Sequence, residues 1–502
     1  ADYFGEQFFI GDSSYEPTID TEYVLITPKS RTFYWKYTPP NYPPEVVDSA
    51  TPELDPEPEV IEDETTRTRR WRFGSLPKLP REPRMPFYSE ILPYIKVSTF
   101  ETWQELTTWY WQLVEDQLDP GPVVRQRTQQ VLAQYKESRG IPQEENLTAW
   151  QKVRAINEYV NTGIRYLGLE FGIHGYKPHD VEEICNAQYG DCKDKAALAI
   201  AMLGEVGIEA RMAILRTTQR GEIDYELPML GIFNHAIYYL PDFEGQDYWI
   251  DGTATFFGAT ELPPGDAGAN SLIVEPGGDS FFKRIRHSQP QDNGAVYTTV
   301  LDLDEEGHAS GYRTASYNGL FNPLVRSTYE NPNKAKEQID RALAREFPGA
   351  ESSQIELSDL NDYAKDERIS YNLEIPEFAV QQSDAWQTPS ALFQEELSQR
   401  YAQLSRRQYD LVLNYPWTRT NITRIALPQG WSPSQLPEDR ELESEFGHYS
   451  RHARFEDNEL VIREEIVFTP IRVPREQYDG FREFCRLADL YQDETVTLIE
   501  QE

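Results

Sequence analysis

Cys192 sits in the run Gly190-Asp191-Cys192-Lys193-Asp194-Lys195-Ala196, whose residue types suit thiol chemistry. Gly190 permits a tight turn, Asp191 is a natural N-cap, and Asp194 puts a carboxylate in the first turn of a helix. Ala196, Ile200, Leu203 and Val206 then recur at helical spacing, and Gly207 ends the run. The pattern predicts a buried helix with Cys192 on its first turn. Unpaired backbone N–H groups and the positive end of the dipole favour thiolate over thiol there. The same N–H groups suit an oxyanion once the sulfur attacks an acyl carbon. A cysteine acyltransferase or hydrolase needs such a nucleophile.

A nucleophile needs a base, and His235 follows 43 residues later in Asn234-His235-Ala236-Ile237-Tyr238-Tyr239-Leu240. That run reads as a strand, with His235, Ile237 and Tyr239 on one face by the period of two. The base needs an orienting carboxylate. Asp251 comes 16 residues further on, in Tyr248-Trp249-Ile250-Asp251-Gly252-Thr253. An antiparallel hairpin turning at Gly245 would set Asp251 beside His235. Cys192, His235 and Asp251 on helix, strand and strand form a coherent candidate triad.

The elements around these residues follow from pattern. Residues 1–97 read as strands and loops, with Glu22–Ile26, Arg31–Tyr37 and Trp71–Phe73 rich in aromatic and β-branched side chains. Between them Pro39–Glu64 is acidic and Pro-rich and reads as a loop or extended segment. Capping boxes start helices at Thr102 with Glu105 and at Thr148 with Gln151. A further helix covers Val123–Arg139, and a short one carries Val181, Ile184 and Cys185. Strands at 210–217, 234–240 and 248–251 follow, so helices precede strands and the class is α+β. Beyond Val296 the chain is again strand-rich, at Val296–Leu303, Ile369–Ile375, Tyr409–Tyr415 and Leu460–Phe468. Helices are expected near Asn333–Phe347 and Gln477–Tyr491.

At 502 residues the chain exceeds one ordinary core. Its 84 acidic against 48 basic residues give a net charge of −36, which repels nucleic acid and anionic membranes, so neither is expected as a partner. The basic run Arg67, Arg69, Arg70 and Arg72 alternates with Thr66, Thr68 and Trp71 and reads as a charged strand face. No run approaches the roughly 20 apolar residues of a membrane helix, so membrane insertion is not expected.

Four stretches carry a family resemblance: INEYVNTGIRYLGLEFGIHGYKP from Ile156, YGDCKDKAALAIAMLGEVGIEAR from Tyr189, FNHAIYYL from Phe233 and YWIDGTATFFGATELP from Tyr248. They resemble the bacterial transglutaminase-like family of the papain-like cysteine superfamily, for which the GDCKDKA block is highly specific. The resemblance implies a papain-like core with Cys192, His235 and Asp251 in the catalytic positions, flanked by two β-rich, sandwich-like domains. The segment from Trp71 to Tyr110 resembles the later part of a β-rich domain of unknown function that often precedes this core. The expected division is 1–120 for that domain, incomplete at its start, 121–290 for the catalytic core and 291–502 for a C-terminal β-rich domain.

Other candidates have plainer readings. Cys185 and Cys485 fall among apolar neighbours and read as core. His174, His179, Cys185 and Cys192 lack the paired spacing of structural zinc, so neither metal nor organic cofactor is expected. Asp302, Asp304, Glu305 and Glu306 read as a solvated turn rather than a calcium loop. Gly172–Pro178 reads equally as a border of the acyl pocket, where Tyr176 could assist the oxyanion, and as a tight structural loop. The expected function is thiol-dependent acyl transfer or hydrolysis on protein or peptide amides. The alternative is a silent scaffold whose β-rich domains bind protein partners. No targeting segment is recognisable; a periplasmic or extracellular location is expected, with the cytoplasm left open and the oligomeric state unassigned.

Overall fold

The computed structural model describes residues 3–11, 17–46, 56–168, 170–390 and 392–501. Residues 47–55 of the Pro-rich acidic stretch lie outside the described residues. The chain divides into two compact units, Ala1–Arg286 and His287–Glu502. The fold is α+β, and among the described residues no helix is long and apolar enough to cross a membrane.

The first unit opens with strands β1 (Gly5–Phe9), β2 (Thr21–Pro28), β3 (Tyr34–Thr38), β4 (Glu59–Glu62), β5 (Thr66–Phe73) and β6 (Tyr94–Ser98). They form two three-stranded sheets, ordered β1-β6-β3 and β2-β5-β4. Alternation along β2 buries Tyr23 and Leu25, which share a core with Trp71, Phe73, Ile95 and Val97. The basic run lies on β5 but does not form one face of it: Arg70 and Arg72 share a face with Thr66 and Thr68, whereas Arg67 and Arg69 share the other with the buried Trp71 and Phe73. The run's partners come from the acidic stretch and from β2: Glu59 stands opposite Arg70, Glu62 stands opposite Arg67 with an ion pair at 2.5 Å, and Glu22 pairs with Arg72 at 3.0 Å. The end of the acidic stretch therefore takes the extended of its two expected forms, as a paired strand that cross-strand opposite charges stabilise.

Helices α1 (Trp103–Val114), α2 (Pro122–Ser138), α3 (Ala149–Gly163), α4 (Val181–Ala187) and α5 (Cys192–Glu205) follow. The capping boxes at Thr102 and Thr148 are both formed. The two-residue strands β7 (Arg165–Tyr166) and β8 (Tyr189–Gly190) pair in parallel just before α5. Strands β9 (Arg211–Leu215), β10 (His235–Phe243), β11 (Gln246–Ile250), β12 (Asn270–Val274) and β13 (Phe281–Arg284) make an antiparallel sheet ordered β11-β10-β9-β12-β13.

Helix α5 departs from the expected single apolar stripe. Residues Lys193 to Ala199 and Ala201 to Leu203 are all buried, whereas Ile200 and Val206 are only half-buried. Its alanines let α2, α3, α4 and β10 approach from several sides, so it is a central helix and not a surface one. Ala236, Tyr238 and Leu240 of β10 face the core containing α5, while Ile237 and Tyr239 face a second core on the other side of the sheet.

The second unit centres on an eight-stranded mixed sheet. Gly294–Leu303 pairs antiparallel with Ala309–Tyr317 and parallel with Trp417–Ala426, a strand the local pattern did not single out. The expected strand Tyr409–Tyr415 shrinks to Leu411–Val412, paired with Arg472–Val473. Pro416, which has no N–H to donate, separates it from the longer strand. Helices Ala335–Glu346 and Tyr478–Gln492 lie close to the expected bounds and pack buried faces into two cores.

Candidate active site

Three local devices set the start of α5. Asp191 caps it, accepting from the Lys193 N–H at 3.1 Å and the Asp194 N–H at 3.2 Å. Asp194 returns the bond, its Oδ2 accepting from the Asp191 N–H at 3.1 Å. Asp194 also accepts from the His179 N–H at 2.8 Å and meets the His179 ring at 3.1 Å, tying α5 to the segment before α4. Gly190 has no positive φ, so the tight-turn reading is corrected. It is small because Asp194 packs against it: a Cβ there would lie 2.6 Å from the Asp194 Cβ.

Cys192 is the first residue of α5 and half-buried, whereas Cys185 and Cys485 are buried. It lines a cavity of about 130 Å³ with His235, Tyr176, Tyr110, Lys193 and Asn234. His235 opens β10 and Asp251 directly follows β11, so both stand at the end of the hairpin opposite the Gly245 turn. His235 Nε2 lies 3.1 Å from Asp251 Oδ2. The other Asp251 oxygen accepts from the Thr253 N–H and hydroxyl, each at 2.7 Å. The structure thus brings together all three residues singled out by spacing.

Electrostatics follow from burial and these bonds. Burial pushes the His235 ring towards neutrality, but hydrogen bonds to Asp251 and Cys192 and the Asp251 charge outweigh it and raise the ring to about 11. Burial likewise works to raise the Asp251 carboxyl, yet the bonds from His235 and Thr253 leave it below the usual carboxylate range. Lys195 is buried one turn into α5, where its Nζ donates to the Ile164 carbonyl at 2.9 Å and the Asn161 carbonyl at 3.3 Å. Those carbonyls end α3, so Lys195 satisfies a helix terminus, and burial pushes its ammonium down to about 8.

Two residues near the site escaped the sequence reading. Tyr166 is held beside Cys192 by the β7–β8 ladder; burial, and then the neighbouring thiol and Asp191, push its hydroxyl up to about 12. Asp266 is buried beside Asp251. Tyr176, expected near the pocket, lines the cavity and packs edge-on against Tyr3. Among the described residues, His235, Asp251 and Asp266 bring one imidazole and two carboxylates to within 4.8 Å. The His235–Asp251 hydrogen bond engages two of these groups. Asp304 forms a turn, accepting from the Glu306 and His308 N–H groups at 3.0 and 2.8 Å.

Comparison with known proteins finds one family match in each unit. Residues 137–249 match the transglutaminase-like superfamily, and residues 387–498 match a domain of unknown function, DUF3858. No curated protein matches the chain. A solved structure of a candidate protease from Parabacteroides distasonis ATCC 8503 shares the fold, with a TM-score of 0.60 and 11% identity, covering 99% of this chain and 75% of that one. A candidate cysteine protease from Cytophaga hutchinsonii aligns over 50% of this chain and 78% of its own, at 15% identity and a TM-score of 0.20, and carries no weight in the assignment. The chain therefore carries a transglutaminase-like superfamily domain at residues 137–249, joined to a DUF3858 domain at residues 387–498.

Proposed function

We propose that this protein is a cysteine-dependent enzyme of acyl transfer or hydrolysis, acting on protein or peptide amides. Cys192 is the nucleophile, His235 the base and Asp251 the orienter. The observation that carries the reading is that Cys192 and His235 line one cavity while His235 bonds Asp251 at 3.1 Å. The transglutaminase-like match supports a thiol-dependent enzyme in general terms.

The steps follow from the geometry. The Cys192 thiolate attacks the amide carbonyl carbon, and negative charge moves to the oxygen. Asp191 already occupies the Lys193 and Asp194 N–H groups, so the Cys192 N–H is the first-turn donor left for that oxygen. The C–N bond then breaks, the His235 imidazolium gives its proton to the leaving amine, and a thioester remains on Cys192. Water resolves it to an acid, or an amine resolves it to a new amide. His235 removes the proton from either acceptor. Residues of the site supply every proton and electron pair in this sequence, so no metal or organic cofactor is assigned a step.

The test is to trap the acyl-enzyme with a glutamine-containing peptide and locate it by mass spectrometry. An adduct confined to Cys192, with ammonia or a peptide amine released, supports the reading. A silent scaffold would give no adduct and would alkylate Cys192 no faster than Cys185 or Cys485.

A further inference from the structure

Asp266 lies in the turn that leads into β12. Its N–H donates to the Pro263 carbonyl at 3.0 Å, its carbonyl accepts from Ala269 at 3.0 Å, and the Gly265 carbonyl accepts from Thr218 at 2.7 Å. The backbone thus holds the residue in place. Its side chain is 2% exposed, and its Oδ2 has no hydrogen-bond partner among the described residues. A polar atom of Asp266 lies within 4.8 Å of one from Asp251 and one from His235.

An orphan buried carboxyl oxygen is costly, and two buried carboxylates at this range do not both stay charged. The bonding pattern decides which one keeps the charge. Asp251 has three donors directed at it, from the Thr253 N–H, the Thr253 hydroxyl and the His235 ring. Among the described residues no donor is directed at Asp266 Oδ2, so the proton belongs on Asp266. A protonated carboxyl has one O–H to give, and Asp251 is the acceptor beside it.

We infer that Asp266 is a positioning residue of this site: its neutral carboxyl donates a hydrogen bond to Asp251 and holds that carboxylate against His235. The inference rests on the reading of Cys192, His235 and Asp251 as the reacting unit. Burial, and then the Asp251 charge, push the Asp266 carboxyl up to about 7, the direction the arrangement requires. The other titratable groups around the pair are His235 and Tyr238 from β10, and Cys192 and Lys195 from α5. Above neutrality Asp266 loses its proton, a second negative charge faces Asp251, and the hydrogen bond is lost.

The test is the rate of iodoacetamide labelling at Cys192 in the full chain as a function of pH, for the wild type, Asp266→Asn and Asp266→Leu. The wild type should show a step near neutral pH. In Asp266→Asn an amide N–H replaces the titrating O–H, so the step should vanish while the rate near pH 6 stays within about twofold. Asp266→Leu has no donor, so its rate near pH 6 should fall about tenfold, the scale of a lost hydrogen bond to a charged group. A merely structural Asp266 would instead lower the melting temperature of the Leu variant and leave the profile unchanged. Wild-type labelling no faster than that of Cys485 sinks the function itself, and the inference with it. Fast wild-type labelling with identical profiles in all three proteins overturns the inference alone. So does labelling lost in EDTA and restored by a divalent cation, which would put an ion where the proton is assigned.

Discussion

Gly190 and Asp194 pack so closely that a methyl group on the glycine would sit 2.6 Å from the Asp194 Cβ. Asp194 is one half of the capping box that starts α5, and it also binds His179. Gly190→Ala should therefore push Asp194 out of the cap and displace the first turn that carries Cys192. A lost cap plus overpacking costs roughly 2 kcal/mol. Urea denaturation should show that loss, and Cys192 labelling should slow with it. An unchanged midpoint would mean that Asp194 moves aside freely.

His235→Gln tests the pairing of ring and thiol. The imidazolium that stabilises a thiolate is removed, while Gln keeps a similar volume. Iodoacetamide labelling of Cys192 near pH 6 should fall by roughly tenfold or more. Cys485 is the internal control, because burial pushes its thiol well up and keeps it unreactive in both proteins. Equal Cys192 rates in the two proteins would remove His235 from the site.

The caps at Thr102, Thr148 and Asp191 each rest on residues three apart, so sequence spacing carries the geometry. The hairpin between His235 and Asp251 turns at Gly245, whose φ of 89° favours glycine, so the short loop is visible in sequence as well. Asp266 and Tyr166 had no such signal. Asp266 reaches Asp251 from a turn with no motif, and Tyr166 reaches Cys192 only through its pairing with Gly190. The same limit hid the parallel pairing of Gly294–Leu303 with Trp417–Ala426, which joins segments over a hundred residues apart. It also hid the partnership of Glu59 and Glu62 with the basic run, since composition alone left those residues as a loop or extended segment.

The second unit holds a buried carboxyl with a measurable pH signature. Glu464 is 2% exposed and accepts from the Tyr449 hydroxyl at 2.7 Å. Burial pushes it from 4.5 up to about 7, against the pull of Tyr449 and Arg451. The folded carboxyl therefore holds its proton more tightly than the unfolded one. Its stabilising contribution is full below 4.5 and is lost as pH rises through about 7. Glu464→Gln keeps an acceptor for Tyr449 and does not titrate, and Arg451 retains its 2.5 Å ion pair with Glu494. Relative to the wild type, the Gln variant should gain stability progressively across that window, by up to roughly 3 kcal/mol at its alkaline end. Thermal melts at pH 5 and pH 8 check this, and a difference that does not grow with pH would count against a buried, protonated Glu464.

Asp251→Asn separates two tasks that one side chain performs. Its Oδ1 makes a turn with the Thr253 N–H and hydroxyl, and its Oδ2 meets His235 Nε2. An Asn carbonyl can keep both Thr253 bonds, so the fold should survive and the melting temperature should move little. The amide N–H₂ then faces His235 Nε2, where the wild type presents an acceptor. Two donors cannot share that position, so the ring must give up its Nε2 proton and carry the remaining one on Nδ1. The nitrogen left to meet Cys192 is then a donor instead of a base, and no carboxylate remains to stabilise the imidazolium. Turnover should fall by roughly two to four orders of magnitude, the scale seen when an orienting carboxylate becomes an amide. The loss should appear in kcat with little change in KM, provided substrate binding is near equilibrium. If Asp251 served only its turn, Asn would be silent, because the Thr253 bonds are the same in both. A stable variant with normal turnover would falsify the orienting role and leave a Cys192–His235 dyad.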